Sequence, residues 1–256
     1  MGVVNITPDS FSDGGKFLER DQAIAHAREL AAEGADIIDI GGESTRPGAA
    51  PVSEAEELQR VIPVLERISD LCVSVDTRRP AVMRAALQAG ASMVNDVLAL
   101  QAPGAIDAVG ESNCAVCLMH MKGEPATMQR EPHYDDVVRE VRQFLRQRLQ
   151  ACQAAGIGED RLVADPGFGF GKTAEHNLTL LAHLSELREL GVPLLAGLSR
   201  KSTIGKVTGR PAAERLAGSL AMALLALQGG ATILRVHDVK ETRDVIAVWE
   251  QVTRSK

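Results

Sequence analysis

Three polar residues of this sequence lie where a short apolar segment ends, at the point where a buried strand would leave the core. They are Asp76, Asn95 and Asp165, in the segments VSVD, MVND and LVAD. Two carboxylates and one amide can together accept hydrogen bonds from a flat heterocycle that carries ring N–H and amino groups. The set therefore predicts a pocket for a nitrogen heterocycle.

A second set of side chains is basic and follows two later apolar segments. Lys201 ends the run Ser199-Arg200-Lys201, and Arg235 and His237 end the segment TILRVH. Such groups bind phosphate oxygens through charge-assisted hydrogen bonds. We therefore expect an anion-binding half beside the heterocycle-binding half. Asn5, which supplies an amide oxygen, is a candidate ligand for Mg²⁺ that bridges to phosphate oxygens.

The segment DPGFGFGKT, residues 165–173, is rich in glycine but matches no nucleotide-binding motif. Pro166 occupies the position of the first glycine of a P-loop, and Lys172 occupies that of the third glycine of the dinucleotide fingerprint. We interpret the segment as a strand-to-helix turn that presents Phe168 or Phe170 to a ligand. Aromatic residues make up only 3% of the chain, so two of them in one glycine loop favour a binding role.

Two other loops are long and polar, NITPDSFSDGGKF after the first strand and GGESTRPGAAPVSEAEE after the second. Long loops of this composition often order over a bound substrate. Thr45 and Arg46 are placed to close over an anion, and Asp39 is expected to support the second loop through hydrogen bonds.

Eight short apolar strands alternate with amphipathic helices along the whole chain, which predicts a parallel sheet with right-handed crossovers. Eight such units in about 250 residues are typical of a (β/α)8 TIM barrel, and a doubly wound open sheet is the competing architecture. All the polar residues above would then converge at one mouth of the barrel. The predicted strands cover residues 3–6, 36–40, 72–75, 92–95, 115–119, 161–164, 193–197 and 232–236.

Composition narrows the class of protein. The chain has 256 residues and a formal net charge of −6, which argues against a general nucleic-acid binder. No apolar run approaches the roughly 20 residues that a membrane helix needs, and no secretory signal pattern is seen. The four cysteines suggest no disulfide framework, and Cys114 and Cys117 are expected to be buried strand thiols. We therefore expect a cytoplasmic protein with no membrane or nucleic-acid partner.

The motifs NITPDSFSDGG, GGESTRPGA, SVDT, VND, CLMHM, DPGFGFGK, SRKS and RVHDVKET occur in this order along the chain. In this respect the sequence closely resembles the dihydropteroate synthase family over essentially its whole length. The resemblance implies a single pterin-binding TIM-barrel domain, residues 1–256, that acts as a transferase. It would condense 6-hydroxymethyl-7,8-dihydropterin pyrophosphate with 4-aminobenzoate to give 7,8-dihydropteroate and pyrophosphate in folate biosynthesis.

The resemblance also implies roles for individual residues. The proposed catalytic groups are Asp76, Asp165, Lys201 and Arg235. The other implied roles are pterin binding by Asp76, Asn95, Met119, Asp165 and Lys201, pyrophosphate binding by Asn5, Thr45, Arg235 and His237, aminobenzoate binding by Thr45, Arg46, Pro47, Phe170 and Ser202, and Mg²⁺ binding by Asn5.

The resemblance implies features beyond the active site. Such enzymes are typically homodimers and are the targets of sulfonamides, which mimic aminobenzoate. The apolar helix at residues 216–227 is expected to be either core-facing or a dimer surface. A helix that is apolar nearly all round must be covered on more than one side, which favours the dimer surface for a helix of the outer ring. Relatives usually carry an N-terminal hairpin under the barrel. This chain starts at the first strand, so we expect it to lack the hairpin and to expose apolar surface there.

Two alternatives share part of this pattern. A pterin-dependent methyltransferase can use the same Asp-Asn-Asp set, but it has no pyrophosphate to bind, so Lys201, Arg235 and His237 argue against it. A non-catalytic pterin-binding paralogue would have lost loop residues, whereas Asn5, Thr45 and Arg46 are present.

Overall fold

Strands and helices alternate along the chain as predicted. The structure, a computed structural model, describes residues 1–6, 16–44, 52–124 and 127–255. The fifth strand has the predicted ends, whereas the ends of the other strands differ from the predicted ones by one or two residues. The seventh and eighth strands are shorter than predicted. The strands are β1 Gly2–Asn5, β2 Ile38–Gly41, β3 Val73–Asp76, β4 Met93–Asp96, β5 Ala115–Met119, β6 Leu162–Asp165, β7 Leu195–Ala196 and β8 Ile233–Leu234.

Helices follow the strands, and several begin where local chemistry predicts. The Ser53 hydroxyl accepts a hydrogen bond from the backbone N–H of Glu56, and Pro80 occupies the first turn of its helix, where no backbone donor is needed. The helices are α1 Lys16–Ala32, α2 Glu54–Arg67, α3 Pro80–Gln88, α4 Ala105–Gly110, α5 Val137–Ala154, α6 Ala174–Ala182, α7 Ser202–Thr208, α8 Leu216–Gln228 and α9 Val239–Arg254.

The strands form a closed ring. Strands β1 to β6 pair in parallel and in sequence order, and β7 pairs with β8. Parallel bridges between Ala164 and Leu194 and between Gly2 and Val236 join the two sheets at both of their edges. Backbone hydrogen bonds reinforce these joins, including one from the Val3 N–H to the Val236 carbonyl at 3.1 Å. The eight-stranded barrel is thereby confirmed, and the open doubly wound sheet is excluded.

Two layers of apolar side chains hold the barrel together. The larger core lies between strands and helices, where Ile38 and Ile40 of β2 are fully buried. The smaller cluster fills the lower barrel interior and contains Met93, Cys117 and Leu195. Side chains of a strand point alternately to its two faces, so Asp39, between the two isoleucines, points into the barrel.

The cysteines lie where the sequence predicts. Cys114 and Cys117 are buried at the start and inside of β5, and Cys152 is buried on α5. All four cysteines are free thiols. Among the described residues, no helix combines the length and the apolar character needed to cross a membrane.

An apolar cavity of about 420 Å³ opens at the amino-terminal end of the strands. Ile37, Ile233, Ile246 and Trp249 contribute to its lining. The expected apolar surface at this end of the barrel is therefore present, and the polar residues singled out from the sequence lie at the opposite end.

Candidate active site

The predicted site residues meet at the carboxyl ends of the strands. Asn5, Asp76 and Asp165 are the last residues of β1, β3 and β6. Asn95 pairs in register with Asp76, and Met119 pairs in register with Asp165. Because parallel strands of a barrel end at the same rim, residues far apart in sequence are brought to one mouth.

Arg235 joins two carboxylates from two other strands. Its Nε lies 2.5 Å from Oδ2 of Asp39, and its Nη2 lies 2.9 Å from Oδ2 of Asp76. Burial opposes the charge on the guanidinium, but the two carboxylates outweigh it and raise the pKa of Arg235 above its ordinary value. The predicted heterocycle half and anion half of the site therefore overlap, because Arg235 of the anion half contacts Asp76 of the heterocycle half.

The prediction for Asp39 was wrong. Asp39 lies two residues before the end of β2 and is fully buried. Its Oδ2 accepts hydrogen bonds from Arg235 and, at 3.3 Å, from Nδ2 of Asn95. Asp39 thus fixes the basic and amide groups of the site from below, and it makes no hydrogen bond to the described residues of the second loop. The alternation of side chains along β2 could have predicted this position, because a single acid between two isoleucines that face the helices must face the barrel interior.

The pKa of the Asp76 carboxyl group is shifted far from its ordinary value. Burial raises the pKa of its carboxyl group to about 7, the attraction of Arg235 opposes this rise, and the charge of Asp39 adds to it. A single guanidinium shared between two carboxylates cannot fully compensate both of them. Asp76 therefore changes its charge near neutral pH, as groups at functional sites often do.

Several buried acceptors lack a hydrogen-bond partner within the described part of the chain. Three of them lie on strands of the site, namely Oδ1 of Asn95, Oδ1 of Asp39 and Oγ of Ser74, and a fourth is Oε1 of Gln22 on α1. Buried polar atoms are nearly always paired in folded proteins, so such a group next to the acids suggests that a ligand completes the pairing. This arrangement suits a ligand that is rich in N–H groups.

The glycine-rich loop after β6 lies against Lys201. Nζ of Lys201 donates to the carbonyl of Phe168 and lies 4.8 Å from the centre of the Phe170 ring. Phe168 is only 1% exposed whereas Phe170 is half-buried, so Phe170 is the aromatic that faces the mouth. Burial lowers the pKa of Lys201 to about 8, although Asp165 opposes that shift. The structure thus decides between the two phenylalanines that the sequence left open.

The segment after β7 is held on two sides. Arg200 has a left-handed backbone with φ of 56°, its N–H donates to Oγ of Ser219 at 2.9 Å, and its guanidinium pairs with Asp238. Oγ of Ser199 lies 3.0 Å from Nδ1 of His237. These contacts tie the exits of β7 and β8 together and fix the backbone next to Lys201. Ser202 follows as the first residue of α7.

An ion network at the base of the second loop was missed from the sequence. Glu43 pairs with Nε of Arg78 at 3.1 Å and with Nη2 of Arg79 at 3.2 Å. Arg79 also pairs with the buried Glu57 and donates to the backbone carbonyl of Val52. The network thus connects both described ends of that loop to the exit of β3. The sequence signal for this network was the pair of adjacent arginines, Arg78 and Arg79, that begins two residues after Asp76. Thr45, Arg46 and Pro47 lie outside the described residues.

Asn5 is suited to bind a metal as one ligand among several. A Cβ placed on Gly41 would lie 3.7 Å from Oδ1 of Asn5 and 3.9 Å from Oδ2 of Asp76, so the amide oxygen and the carboxylate flank the same glycine. Mg²⁺ takes oxygen ligands and commonly binds through one or two protein groups together with water and substrate phosphates. Within the described ranges, no cluster of three or more His, Cys, Asp or Glu could hold a metal by itself.

Comparison with known proteins gives concordant matches. The family model described as "Pterin binding enzyme" matches residues 1–237. The chain is 51% identical to the dihydropteroate synthase of Escherichia coli, over 100% of this chain and 92% of that protein. It is 57% identical to a Xanthomonas albilineans dihydropteroate synthase structure with 4-aminobenzoic acid, with a TM-score of 0.94 over 99% of this chain and 92% of that one. A Yersinia pestis dihydropteroate synthase structure with a sulfonamide drug complex is 50% identical, with a TM-score of 0.94 over 100% and 94%.

Proposed function

This chain belongs to the dihydropteroate synthase family of pterin-binding enzymes, and from that membership we infer the reaction that its active site performs. It condenses 6-hydroxymethyl-7,8-dihydropterin pyrophosphate with 4-aminobenzoate, and it releases 7,8-dihydropteroate and pyrophosphate. The observation that most directly supports this function is the 51% sequence identity to the Escherichia coli dihydropteroate synthase along the whole chain. Among the site residues that the structure describes, Asp76, Asn95, Asp165, Lys201 and Arg235 gather at one mouth, as the reaction requires.

The pterin is proposed to lie among Asp76, Asn95, Asp165 and Lys201, with Met119 as an apolar wall. Two carboxylates and the unpaired Asn95 oxygen match the amino and ring N–H groups of the heterocycle. Met119 is 4% exposed at the end of β5, directly beside Asp165. These contacts orient the exocyclic methylene group of the pterin toward the mouth.

We propose that the C–O bond of the substrate breaks early. An aniline nitrogen is a weak nucleophile, whereas a methylene cation delocalised into the pterin ring is a strong electrophile. The bonding pair leaves with pyrophosphate, the amine of aminobenzoate attacks the methylene carbon, and the amine then loses a proton. The carboxylates of Asp76 and Asp165 stabilise the developing positive charge, because preorganised charges act strongly in a water-excluded site.

The pyrophosphate is proposed to bind between Asn5, Thr45, Arg235 and His237, with Mg²⁺ held by Asn5. When bound, Mg²⁺ would neutralise negative charge that develops on the phosphate oxygens. Arg235 supports this role because its guanidinium reaches the mouth and remains charged. The aminobenzoate site is proposed to comprise Thr45, Arg46, Pro47, Phe170 and Ser202. Sulfonamides are expected to compete there.

The reaction itself is the direct test. Purified protein mixed with the dihydropterin pyrophosphate and labelled aminobenzoate should form labelled dihydropteroate with Mg²⁺ present, and chelation of the metal should abolish this product. Added Mg²⁺ should restore it. If no dihydropteroate forms under any of these conditions, the proposed reaction is excluded, and undiminished turnover in chelator would exclude only the metal.

We propose that the protein is a homodimer that assembles through α6, α7 and α8. Exposed apolar side chains gather on three consecutive helices, with Leu178 on α6, Val207 on α7 and Leu225, 51% exposed, on α8. Helix α8 is apolar nearly all round, as the sequence predicts for a helix covered on two sides. A second copy of this chain would bury this face.

Replacing an apolar residue on that face should weaken the dimer. Leu225→Lys is expected to shift the protein to monomer in sedimentation velocity, because a lysine would be desolvated in the interface. Val252→Lys on α9 is the matched control, since Val252 is 56% exposed on a different helix, and it should leave the dimer intact. A wild-type protein that is monomeric at all concentrations would rule out this assembly.

A cytoplasmic location is likewise proposed, and the four free thiols support it.

A further inference from the structure

Lys172 is a lysine without access to solvent, and the reaction above does not use it. It is 2% exposed. Its Nζ lies 2.9 Å from Nδ1 of His120 and donates to the carbonyl of Gly167 at 2.9 Å and to the carbonyl of Phe170 at 3.1 Å. Burial lowers the pKa of Lys172 well below its ordinary value, and the charge of Asp165 opposes that shift. An ammonium group has three donors, and each of these three atoms can accept one. A buried lysine is retained only where such pairing offsets its desolvation.

The loop that Lys172 closes has little conformational preference of its own. Gly167 and Gly171 have φ of 66° and 62°, in the region that favours glycine. Both also approach neighbouring backbone closely, because a Cβ on Gly167 would lie 1.8 Å from the His120 carbonyl oxygen. A segment this permissive adopts one shape only if outside contacts hold it. The three contacts of Lys172 are part of this support. The others include bonds from the Gly169 N–H to Oδ1 of Asn177 at 2.7 Å and from Oη of Tyr134 to the Gly171 carbonyl at 2.8 Å.

His120 is the fixed partner of Lys172. It lies directly after β5, it is 5% exposed, and its ring packs edge-on against Phe144 at 4.9 Å between centroids. Burial, and then the charge of Lys172, lowers the pKa of His120 to about 2, so the imidazole is neutral and Nδ1 can accept a hydrogen bond. The exit of β5 therefore holds the loop that follows β6.

The same loop carries groups of the substrate site on its other side. Its Phe168 carbonyl accepts a bond from Lys201, and the Phe170 ring lies over Nζ of Lys201. Lys172 binds the backbone carbonyl of Phe170 itself, so it fixes the residue whose side chain faces the mouth. By contrast, Asp76 and Asn95 stand on strands β3 and β4, and barrel pairing holds them independently of the loop.

We propose that Lys172 is a positioning residue for the aminobenzoate half of the site, which acts by holding Phe170 in place. This inference rests on the proposed synthase function. It predicts a larger effect on aminobenzoate than on the pterin. Barrel pairing holds Asp76 and Asn95, whereas Asp165 and Lys201 of the pterin half contact the loop, through the Gly167 N–H and the Phe168 carbonyl. Lys172→Met keeps the length and apolar stem of the side chain but removes all three donors.

Steady-state kinetics and ligand binding test this difference. Lys172→Met should raise KM for aminobenzoate roughly tenfold or more, the effect of losing a hydrogen bond made by a charged group. The affinity for 6-hydroxymethyl-7,8-dihydropterin, measured by calorimetry, should fall by a much smaller factor than the factor by which KM rises. Lys240→Met removes an exposed lysine on α9 and is the matched control, with neither quantity changed.

A double-mutant cycle separates positioning from general structural support. In a Phe170→Ala background, Lys172→Met should have little further effect on KM for aminobenzoate, because the residue through which it acts is gone. The proposal would be overturned if the effects of Lys172→Met and Phe170→Ala on KM for aminobenzoate added fully. It would also be overturned if Lys172→Met lowered the pterin affinity by as large a factor as it raised that KM. A Lys172→Met protein that behaves like Lys240→Met would also overturn it.

If Lys172→Met does not fold, two variants at His120 provide an independent test of the same proposal. Asparagine can present an oxygen acceptor near the place of Nδ1, whereas leucine cannot. His120→Asn should therefore retain a KM for aminobenzoate near that of wild type, and His120→Leu should raise it in the same way as Lys172→Met. Equal behaviour of the two variants would count against the proposal. Absence of synthase activity in the wild type would instead refute the proposed function.

Discussion

Arg235→Met is expected to destabilise the protein and to abolish turnover. The substitution leaves Asp39, which is fully buried, without the guanidinium that contacts it at 2.5 Å. Removal of one partner of a buried ion pair typically costs about 3–5 kcal/mol, because the other charge stays buried and uncompensated. Chemical denaturation measures this loss as a lower free energy of unfolding, and the synthase assay measures the loss of product.

A surface ion pair provides the matched control for this change. Arg243 pairs with Asp36 at 3.1 Å, and the two side chains are 46% and 73% exposed. Arg243→Met should therefore lower the free energy of unfolding by less than about 1 kcal/mol, since solvent screens such pairs. If Arg235→Met were as stable as Arg243→Met, the buried network would not have the proposed importance.

The double variant Arg235→Met/Asp39→Asn separates stability from catalysis. Removing both charges leaves no uncompensated ion below the site, so much of the lost stability should return. Turnover should not return, because the Arg235 guanidinium, which contacts Asp76 and is proposed to bind the leaving pyrophosphate, is still absent. Recovery of activity together with stability would show that Arg235 has only a structural role.

Asp76→Asn should lower kcat/KM by roughly 10²- to 10³-fold, the usual loss when one preorganised stabilising group is removed. The amide has nearly the shape of the acid but cannot supply negative charge to a pterin cation. Asp107→Asn is the matched control, because Asp107 is exposed on α4, and it should retain wild-type kinetics. Near-normal turnover of Asp76→Asn would contradict the assignment of this residue.

The titration of Asp76 provides a second readout for the same variant. Burial raises the pKa of Asp76 to about 7, so the carboxylate forms as the pH rises through that value. Affinity for 6-hydroxymethyl-7,8-dihydropterin, which carries no titrating phosphate, should therefore increase as the pH rises toward 7, below the pKa of about 8 at which Lys201 loses its charge. In Asp76→Asn this rise should be absent.

The stability of the unliganded protein follows from the same shift. An acid whose pKa is raised in the folded state favours folding most below its ordinary pKa of 3.8, and this contribution is lost as the pH rises through about 7. Asp76→Asn removes the cost of ionisation, so at pH 8 the variant should unfold no more readily than wild type. A clearly less stable variant would make its lost activity ambiguous and would contradict this interpretation of Asp76.

The sequence alone was sufficient to predict the architecture and the composition of the mouth. Alternation of short apolar segments with amphipathic helices is a local property, and eight such units fit one kind of closed parallel sheet. The polar residue that ends an apolar run is equally visible in the sequence. The positions of Asp76, Asn95, Asp165 and Met119 at the rim therefore follow from the order of residues along the chain.

The interactions among those residues were decided only by the tertiary structure. Arg235 lies 196 positions from Asp39 and 159 from Asp76, and nothing in either segment reveals that one guanidinium serves both acids. The burial of Phe168 rather than Phe170, and the enclosure of Lys172, likewise depend on how the β5 and β6 loops pack. Side-chain direction along a strand is set by local geometry, but partners and pKa values depend on burial and on distances that exist only once the ring of strands has closed.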